Sequence, residues 1–378
     1  MKEIPPCFKS KVFKSVVFTS FTTIIIVVVI IMSALFHNSS NDYSDNAISD
    51  NPSGAPTIAL VETLRPSYSS APTIALVETL RPSYSSAPSV APTSFVFGIL
   101  ADFYKSTSGG SWIEDSNWLS SDVSVCEWFR VYCYEGTDTI FHINIFQNNL
   151  LGVIPSSLSS LSTLTILSMS YNNLFGNIPT EMGMLINLQE LYITSNNLFG
   201  EIPSELGMLS NLKDLCLYNN ALTGEVPRQI GLLTSMKRLF LSINTLTGRI
   251  PTEIGMLSSS NYLGLSYNLL TGALPSEIGL LSELLRLDLQ FNSFSGKIPT
   301  EFGHLTKVRV LNLKGNQISG PIPSEIGMLT SLQYLFIEWT YLTGVMPTEI
   351  CNLQSEGSLN ILTIDSYMNI SCACCNLI

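Results

Sequence analysis

Residues Leu164 to Asn187 read LTILSMSYNNLFGNIPTEMGMLIN, and this plan recurs every 24 residues. Pro155, Pro179, Pro203, Pro227, Pro251, Pro275, Pro299, Pro323 and Pro347 keep that spacing without a slip. A glycine stands three positions before each, from Gly152 to Gly344. So fixed a period marks a solenoid, in which each unit is laid on the last and no unit buries its apolar face alone. Within the unit Leu164, Leu167, Met169 and Leu174 point inward. Leu167 and Met169 alternate with Ser168 and Ser170, the period of a short strand with one buried face. At strand spacing of about 4.8 Å, nine coils reach roughly 43 Å.

Asn148, Asn172, Asn196, Asn220, Asn244, Asn268, Asn292 and Asn316 share one position in the repeat. A carboxamide both donates to and accepts from backbone groups, so stacked asparagines predict a ladder of buried hydrogen bonds. Thr340 takes the ninth place, and the ladder is expected to end or loosen there. After each proline a Ser or Thr and then a Glu usually follow, as at Thr180 and Glu181. This predicts a short capped 3₁₀ or α turn on the convex side, with the Glu column facing solvent.

Upstream of the repeats the composition changes. Val16 to Phe36 holds no charge and is long enough to span about 32 Å as a helix, one hydrocarbon core. A cleaved signal would have a shorter apolar region and a small-residue cleavage site, so a retained anchor over 15–37 fits better. Lys2, Lys9, Lys11 and Lys14 precede it against Glu3 alone. The positive-inside rule therefore places residues 1–14 in the cytosol and the remainder outside, a single-pass type II arrangement. Residues 38–93 read as a disordered Ser/Thr/Pro-rich stalk containing a duplicated 16-mer, APTIALVETLRPSYSS, at Ala55–Ser70 and Ala71–Ser86. A doubled binding motif is the sharper alternative. Beyond Lys14 the chain has 14 basic against 28 acidic residues, so DNA and RNA are unsuitable partners. No P-loop, GxGxxG or HExxH occurs. His37, His142 and His304 form no Ser-His-Asp or Cys-His pattern, so no catalytic residue, metal or cofactor is assigned and the chain is read as not an enzyme.

The repeat spells LxxLxxLxLxxNxLxGxIPxxLGxLxx and resembles the plant-type leucine-rich repeat, over roughly Ile140 to Leu353. Cys126-Glu-Trp-Phe-Arg-Val-Tyr-Cys133 is similar to that family's N-terminal cap, with Arg130 near the place of a glycine. The resemblance implies an α/β solenoid, a right-handed superhelix capped at both ends. It would carry short parallel strands on its concave face and 3₁₀ or short helical turns on its convex face. The expected organisation is a cap over 94–139, nine 24-residue repeats over 140–355 and a Cys-rich C-terminal cap over 356–378. A helix is predicted for Ser94 to Ser106 from Phe95, Ile99 and Phe103 at i, i+4, i+8. The resemblance also implies a receptor-like protein or polygalacturonase-inhibitor-like ectodomain. Its members are typically extracellular and bind proteins, peptides or glycans concavely. An N-terminal anchor and the lack of a kinase depart from the usual receptors.

By the same resemblance Cys126 and Cys133 pair. Cys351, Cys372, Cys374 and Cys375 allow three pairings, and a zinc site fits their spacing less well than disulfides. Cys216 is expected as an outward thiol. Asn38 and Asn369 are sequons for glycosylation. Outward strand positions nominate a ligand surface of Tyr192, Lys213, Tyr218, Lys237, Arg238, Phe240, Tyr262, Tyr267, Arg286, Phe291 and Arg309. Exposed aromatics with cations are common interface anchors, and these predict an acidic peptide, protein loop or glycan as ligand. The leading expectation is a tethered receptor-like or adhesion protein with an extracellular ligand and a signalling co-receptor. An inhibitor of secreted hydrolases and a cell-wall structural protein are the alternatives.

Overall fold

Most coils open on a three-residue strand whose middle residue is a buried leucine: Leu167, Leu191, Leu215, Leu239, Leu263, Leu287, Leu311 and Leu335. The computed structural model describes residues 94–364, 369–372 and 374, within one compact unit, Pro88–Ile378. Among the described residues these strands join into one sheet of eleven, parallel except where Val131–Cys133 runs antiparallel to Ile140–Asn144. Pairing is in phase with the repeat, as in Arg238↔Tyr262 and Leu239↔Leu263. Each outward position therefore forms a straight column along the concave face.

The opposite flank is sheared. There Phe199 faces Ala221 and Ser319 faces Tyr341, two residues short of the repeat. The second glycine of the unit, the one in EIG or ELG, permits close stacking on the convex side. A Cβ on Gly279 would collide with the carbonyl oxygen of Glu301 in the next coil. The glycines before the prolines meet a different need, since all nine adopt φ between +73° and +143°.

The asparagine ladder is built as the carboxamide chemistry predicts. Asn268 Nδ2 donates to Leu241 O and Leu265 O, both at 3.1 Å. Its Oδ1 accepts from Leu246 N, also at 3.1 Å. The same pattern runs from Asn172 to Asn316. Asn148 ends it on the cap, donating to Glu114 O and accepting from Glu114 N. Among the described residues the Thr340 hydroxyl donates only to Ile337 O of its own coil, at 2.7 Å. The convex turns are 3₁₀ helices such as Thr180–Met184 and Thr252–Met256. Their Ser/Thr residues do not cap them. Proline occupies the cap position, and the Thr180 hydroxyl instead donates to Glu181 Oε2 at 3.2 Å.

The helix Ser94–Ser106 covers the first coil with Ile99, Leu100 and Phe103 buried. Trp112, Trp118 and Trp128 pack in sequence behind Phe103, with centroids 4.7 and 5.1 Å apart between successive indoles. Cys126 and Cys133 are bonded. Arg130 keeps the left-handed backbone (φ 60°) that its family pattern meets with glycine, and Arg130 Nη1 donates to Phe146 O at 2.7 Å. At the other end the helix Thr348–Ser355 replaces a 3₁₀ turn. The strands Ile361–Thr363 and Asn369–Ser371 then continue the concave and flank sheets into the C-terminal segment. Cys351 is bonded to Cys374, which resolves one of the open pairings. Cys216 is fully buried and is not free, contrary to the outward thiol expected. Cys375, Asn38 and the apolar run Val16 to Phe36 lie outside the described residues. Among the described residues no helix is long and apolar enough to cross a membrane.

The ladder and the convex glycines make the stability of single variants predictable. Asn268→Ala strands two buried carbonyls and an amide and is expected to cost about 1–3 kcal/mol or more. Thr340→Asn restores the missing rung toward Leu313 O and Ile318 N and is expected to add about 1 kcal/mol. Gly279→Ala forces the coils apart and is expected to cost roughly 1–3 kcal/mol. Urea titration of the three variants against the parent reads each difference.

Candidate functional site

The concave columns bring charge and aromatic rings together in coils 190 to 291. Arg238 Nε donates to Asp214 Oδ1 at 2.6 Å, and its Nη2 bonds Asp214 Oδ2, a bidentate pair from adjacent strands. The Tyr192 hydroxyl lies 2.9 Å from both Asp214 Oδ2 and Glu190 Oε2. Its single proton serves one carboxylate at a time. Burial, then Asp214 and Glu190, push the Tyr192 pKa well up, so the phenol stays a neutral donor. The hydrogen bond to Asp214 is the main reason the Arg238 pKa is raised.

The next two coils repeat the theme. Phe240 packs on Tyr262 with centroids 4.3 Å apart. The Arg286 guanidinium lies 5.4 Å from the Tyr262 centroid and bonds Asp288 Oδ2 at 3.0 Å. Burial raises the Asp288 pKa against the opposing pull of Arg286. Burial also pushes the Tyr262 and Tyr218 hydroxyls up to about 12. Gly264, between Phe240 and Asp288 in its column, leaves room for both rings, because a Cβ there would meet Tyr262 at 3.0 Å.

Lys213, Lys237 and Arg309 stand one position before the strands and are exposed. Among the described residues none of them has a carboxylate within ion-pair distance; Lys213 Nζ bonds Gln189 Oε1 at 2.8 Å. Of the basic residues nominated from sequence, Arg238 and Arg286 are thus held by internal carboxylates, and these three are left available.

Tyr267 and Phe291 belong to a separate row at the rim, where the chain leaves the strand with positive φ. That position holds Gln147, Tyr171, Ser195, Asn219, Ile243, Tyr267, Phe291, Gly315 and Trp339, with φ from 49° to 65°. A left-handed conformation costs a residue with a Cβ roughly 1–2 kcal/mol, least for Asn, and Gly is free of it. Aromatics there are locally unfavourable choices. Tyr267 and Phe291 stack at 4.7 Å, and Phe291 meets Trp339 edge to face at 5.6 Å. Lys314 Nζ lies 4.5 Å from the Trp339 centroid and 2.8 Å from Glu338 Oε1.

Sequence reasoning missed Glu190, Asp214, Asp288 and Glu338, the acids that hold these cations. The signal was present, because Glu190, Asp214, Arg238 and Arg286 share one register of the 24-residue period.

The leucine-rich repeat family model matches residues 163–185, 187–209, 283–305 and 307–329. Among solved structures the fold is similar to the ectodomain of the Arabidopsis thaliana receptor kinase GASSHO1/SCHENGEN3, crystallised with CASPARIAN STRIP INTEGRITY FACTOR 2. That match has 31% identity and a TM-score of 0.63, over 72% of this chain and 35% of the receptor chain. This is a plant-type leucine-rich repeat protein. Its repeats are also similar to those of the Arabidopsis receptor kinase HAESA in complex with the peptide hormone IDA and the co-receptor SERK1. There identity is 28% and the TM-score 0.64, over 74% of this chain and 46% of that one. A plant ice-binding protein matches at 28% identity and a TM-score of 0.58, over 76% of this chain and 97% of its own. The leucine-rich repeat chain thus spans less than half the length of these two receptor structures. No curated protein matches it.

One pH effect is predicted at the first coil. His142 stacks on Tyr132 with centroids 4.8 Å apart, and burial lowers its pKa below the usual 6.5 or so. The folded chain then takes up this proton less readily than the unfolded chain, so stability is lost as pH falls below about 6.5. His142→Gln is expected to lose less Tm between pH 7 and pH 5 than the parent. Equal losses on thermal scans would remove the assignment.

Proposed function

We propose that this protein is a membrane-tethered extracellular binding protein that holds an acidic peptide or protein segment on its concave face. The single observation that carries the reading is the disposition of cations. Arg238 and Arg286 are bound by their own carboxylates and build a rigid aromatic floor, while Lys213, Lys237 and Arg309 project beside it without acidic partners among the described residues. Internally neutralised pairs fix geometry, and the exposed cations supply long-range attraction. The complexes of one receptor ectodomain with CASPARIAN STRIP INTEGRITY FACTOR 2, and of the other with the peptide hormone IDA and the co-receptor SERK1, support a bound ligand and a second, signalling partner. The apolar run over 15–37 with its preceding lysines supports a type II tether, and the sequons Asn38 and Asn369 suit an extracellular face.

The test uses the full chain and an immobilised peptide of alternating Asp and Glu. The triple variant Lys213→Glu, Lys237→Glu, Arg309→Glu is expected to weaken capture at least tenfold and to abolish its salt dependence, with Tm unchanged. Undiminished capture removes the concave reading. Surface biotinylation of intact cells checks the topology: labelling of the lysines of the repeats, with none of Lys2 to Lys14, is the expected pattern.

A further inference from the structure

The convex side carries an exposed apolar row that the concave reading does not use. Its 3₁₀ helices end at Met184, Met208, Leu232, Met256, Leu280 and Met328, and between the first and last of these only His304 interrupts. Each of the six is 49–62% exposed. The coils touch directly here. A Cβ on the glycine before any of the first five would lie 2.3–2.7 Å from a carbonyl oxygen of the next coil. The side chains therefore fall in one continuous strip. The fold does not ask for them: Ile254 and Leu257 are fully buried, while Met256 between them stays open. A contiguous exposed apolar strip of this kind marks a docking surface.

The banks of the strip select its occupant. Three residues before each position of the row stands an acid, from Glu181 to Glu325, with Gln229 the exception. The preceding Ser or Thr hydroxyl donates to Oε2 of each, at 3.2–3.3 Å, so these carboxylates share one orientation. Among the described residues none of these acids has a cation within ion-pair distance. Two residues after the apolar row, exposed Ser and Thr run from Ser210 to Thr330 and add no charge. The strip is thus one side chain wide, acidic on one bank and neutral on the other. A lipid surface is broad and would press the acids against its phosphates, and a second copy would bring its own acids to the same strip. A basic amphipathic helix suits both banks. Its apolar seam advances about 5.4 Å per turn. Coils set about 4.8 Å apart at their strands stand wider on the outer side of the curve, so one helical turn meets one coil. Methionine, unbranched and polarisable, adapts its shape to such a seam.

We propose that the convex strip from Met184 to Met328 docks an amphipathic helix of a partner protein, its apolar seam on the Met/Leu row and its lysines or arginines along the Glu row. Charge on one bank alone fixes the roll of the helix and steers its approach. The proposal uses the face opposite the concave ligand surface and does not depend on that reading.

The test measures binding of a blocked 21-residue helical peptide to the full chain by calorimetry. The peptide has leucine at a and d of each heptad, lysine along one flank and alanine elsewhere. It is expected to bind, and peptides with glutamate for lysine or alanine for leucine are expected not to. The variant Met208→Gln, Leu232→Gln, Met256→Gln and the variant Glu205→Gln, Glu253→Gln, Glu277→Gln are each expected to weaken binding at least tenfold with Tm unchanged. The Lys213/Lys237/Arg309 charge variant is expected to bind the helix as the parent does, so failure of the concave reading is seen separately. Unchanged binding in the Met/Leu variant, or equal binding of the peptide without leucine, overturns the proposal. Two further results overturn it: phosphatidylcholine vesicle binding that falls in the Met/Leu variant, which assigns the strip to lipid, and a parent dimer in sedimentation that this variant dissolves, which assigns it to a second copy.

Discussion

Every coil of this protein turns sharply inside a hydrophobic stack, and each turn strands peptide groups away from water. The asparagine of the repeat answers that constraint. Its carboxamide reaches back to the preceding coil's carbonyl and accepts from a flank amide, so one side chain satisfies three or four backbone atoms. An orphaned buried group costs more than a made hydrogen bond contributes. Leucines could be exchanged for other aliphatic residues with modest loss; the asparagines could not. The straight concave columns depend on this ladder, because it sets both the depth of each turn and its phase.

On those columns the binding chemistry is built by repetition. Residues 24 apart become neighbours, so Asp214 and Arg238 meet as a bidentate pair. Phe240 meets Tyr262 across the same pair of strands as Arg238. The paired charges are stiff and largely self-contained. What projects beyond them is a small set of cations and a row of strained aromatics. A rigid floor with few protruding groups loses little entropy when a ligand settles on it.

The solenoid is legible in the sequence because its period is a physical count of residues per turn. The Leu167 and Met169 alternation, the ladder of asparagines and its end at Thr340 all stand where local chemistry requires them. The convex capping is not legible in the same way: Thr180 follows a proline that already holds the cap position, so its hydroxyl turns to Glu181. The site is only half legible. Aromatic and basic residues stand out singly, but their value depends on what lies one coil away, and the acids facing Arg238 and Arg286 declare themselves only when the columns are aligned. Cys216 illustrates the same limit, because an outward strand position does not reveal burial. The C-terminal strands are hidden because the helix Thr348–Ser355 breaks the period. Tyr334 pairs with Ile361, 27 residues on, and not with Ser358, 24 residues on.

The two ends of the ladder differ in kind. Asn148 is clasped by Glu114 of the disulfide-bonded cap, whereas the Thr340 hydroxyl bonds within its own coil. Opening of such a stack begins where nearest-neighbour coupling is weakest. Under heat this molecule should therefore open first at the junction between the Thr340 coil and the one before it, while the Cys351–Cys374 bond keeps the C-terminal coil itself closed.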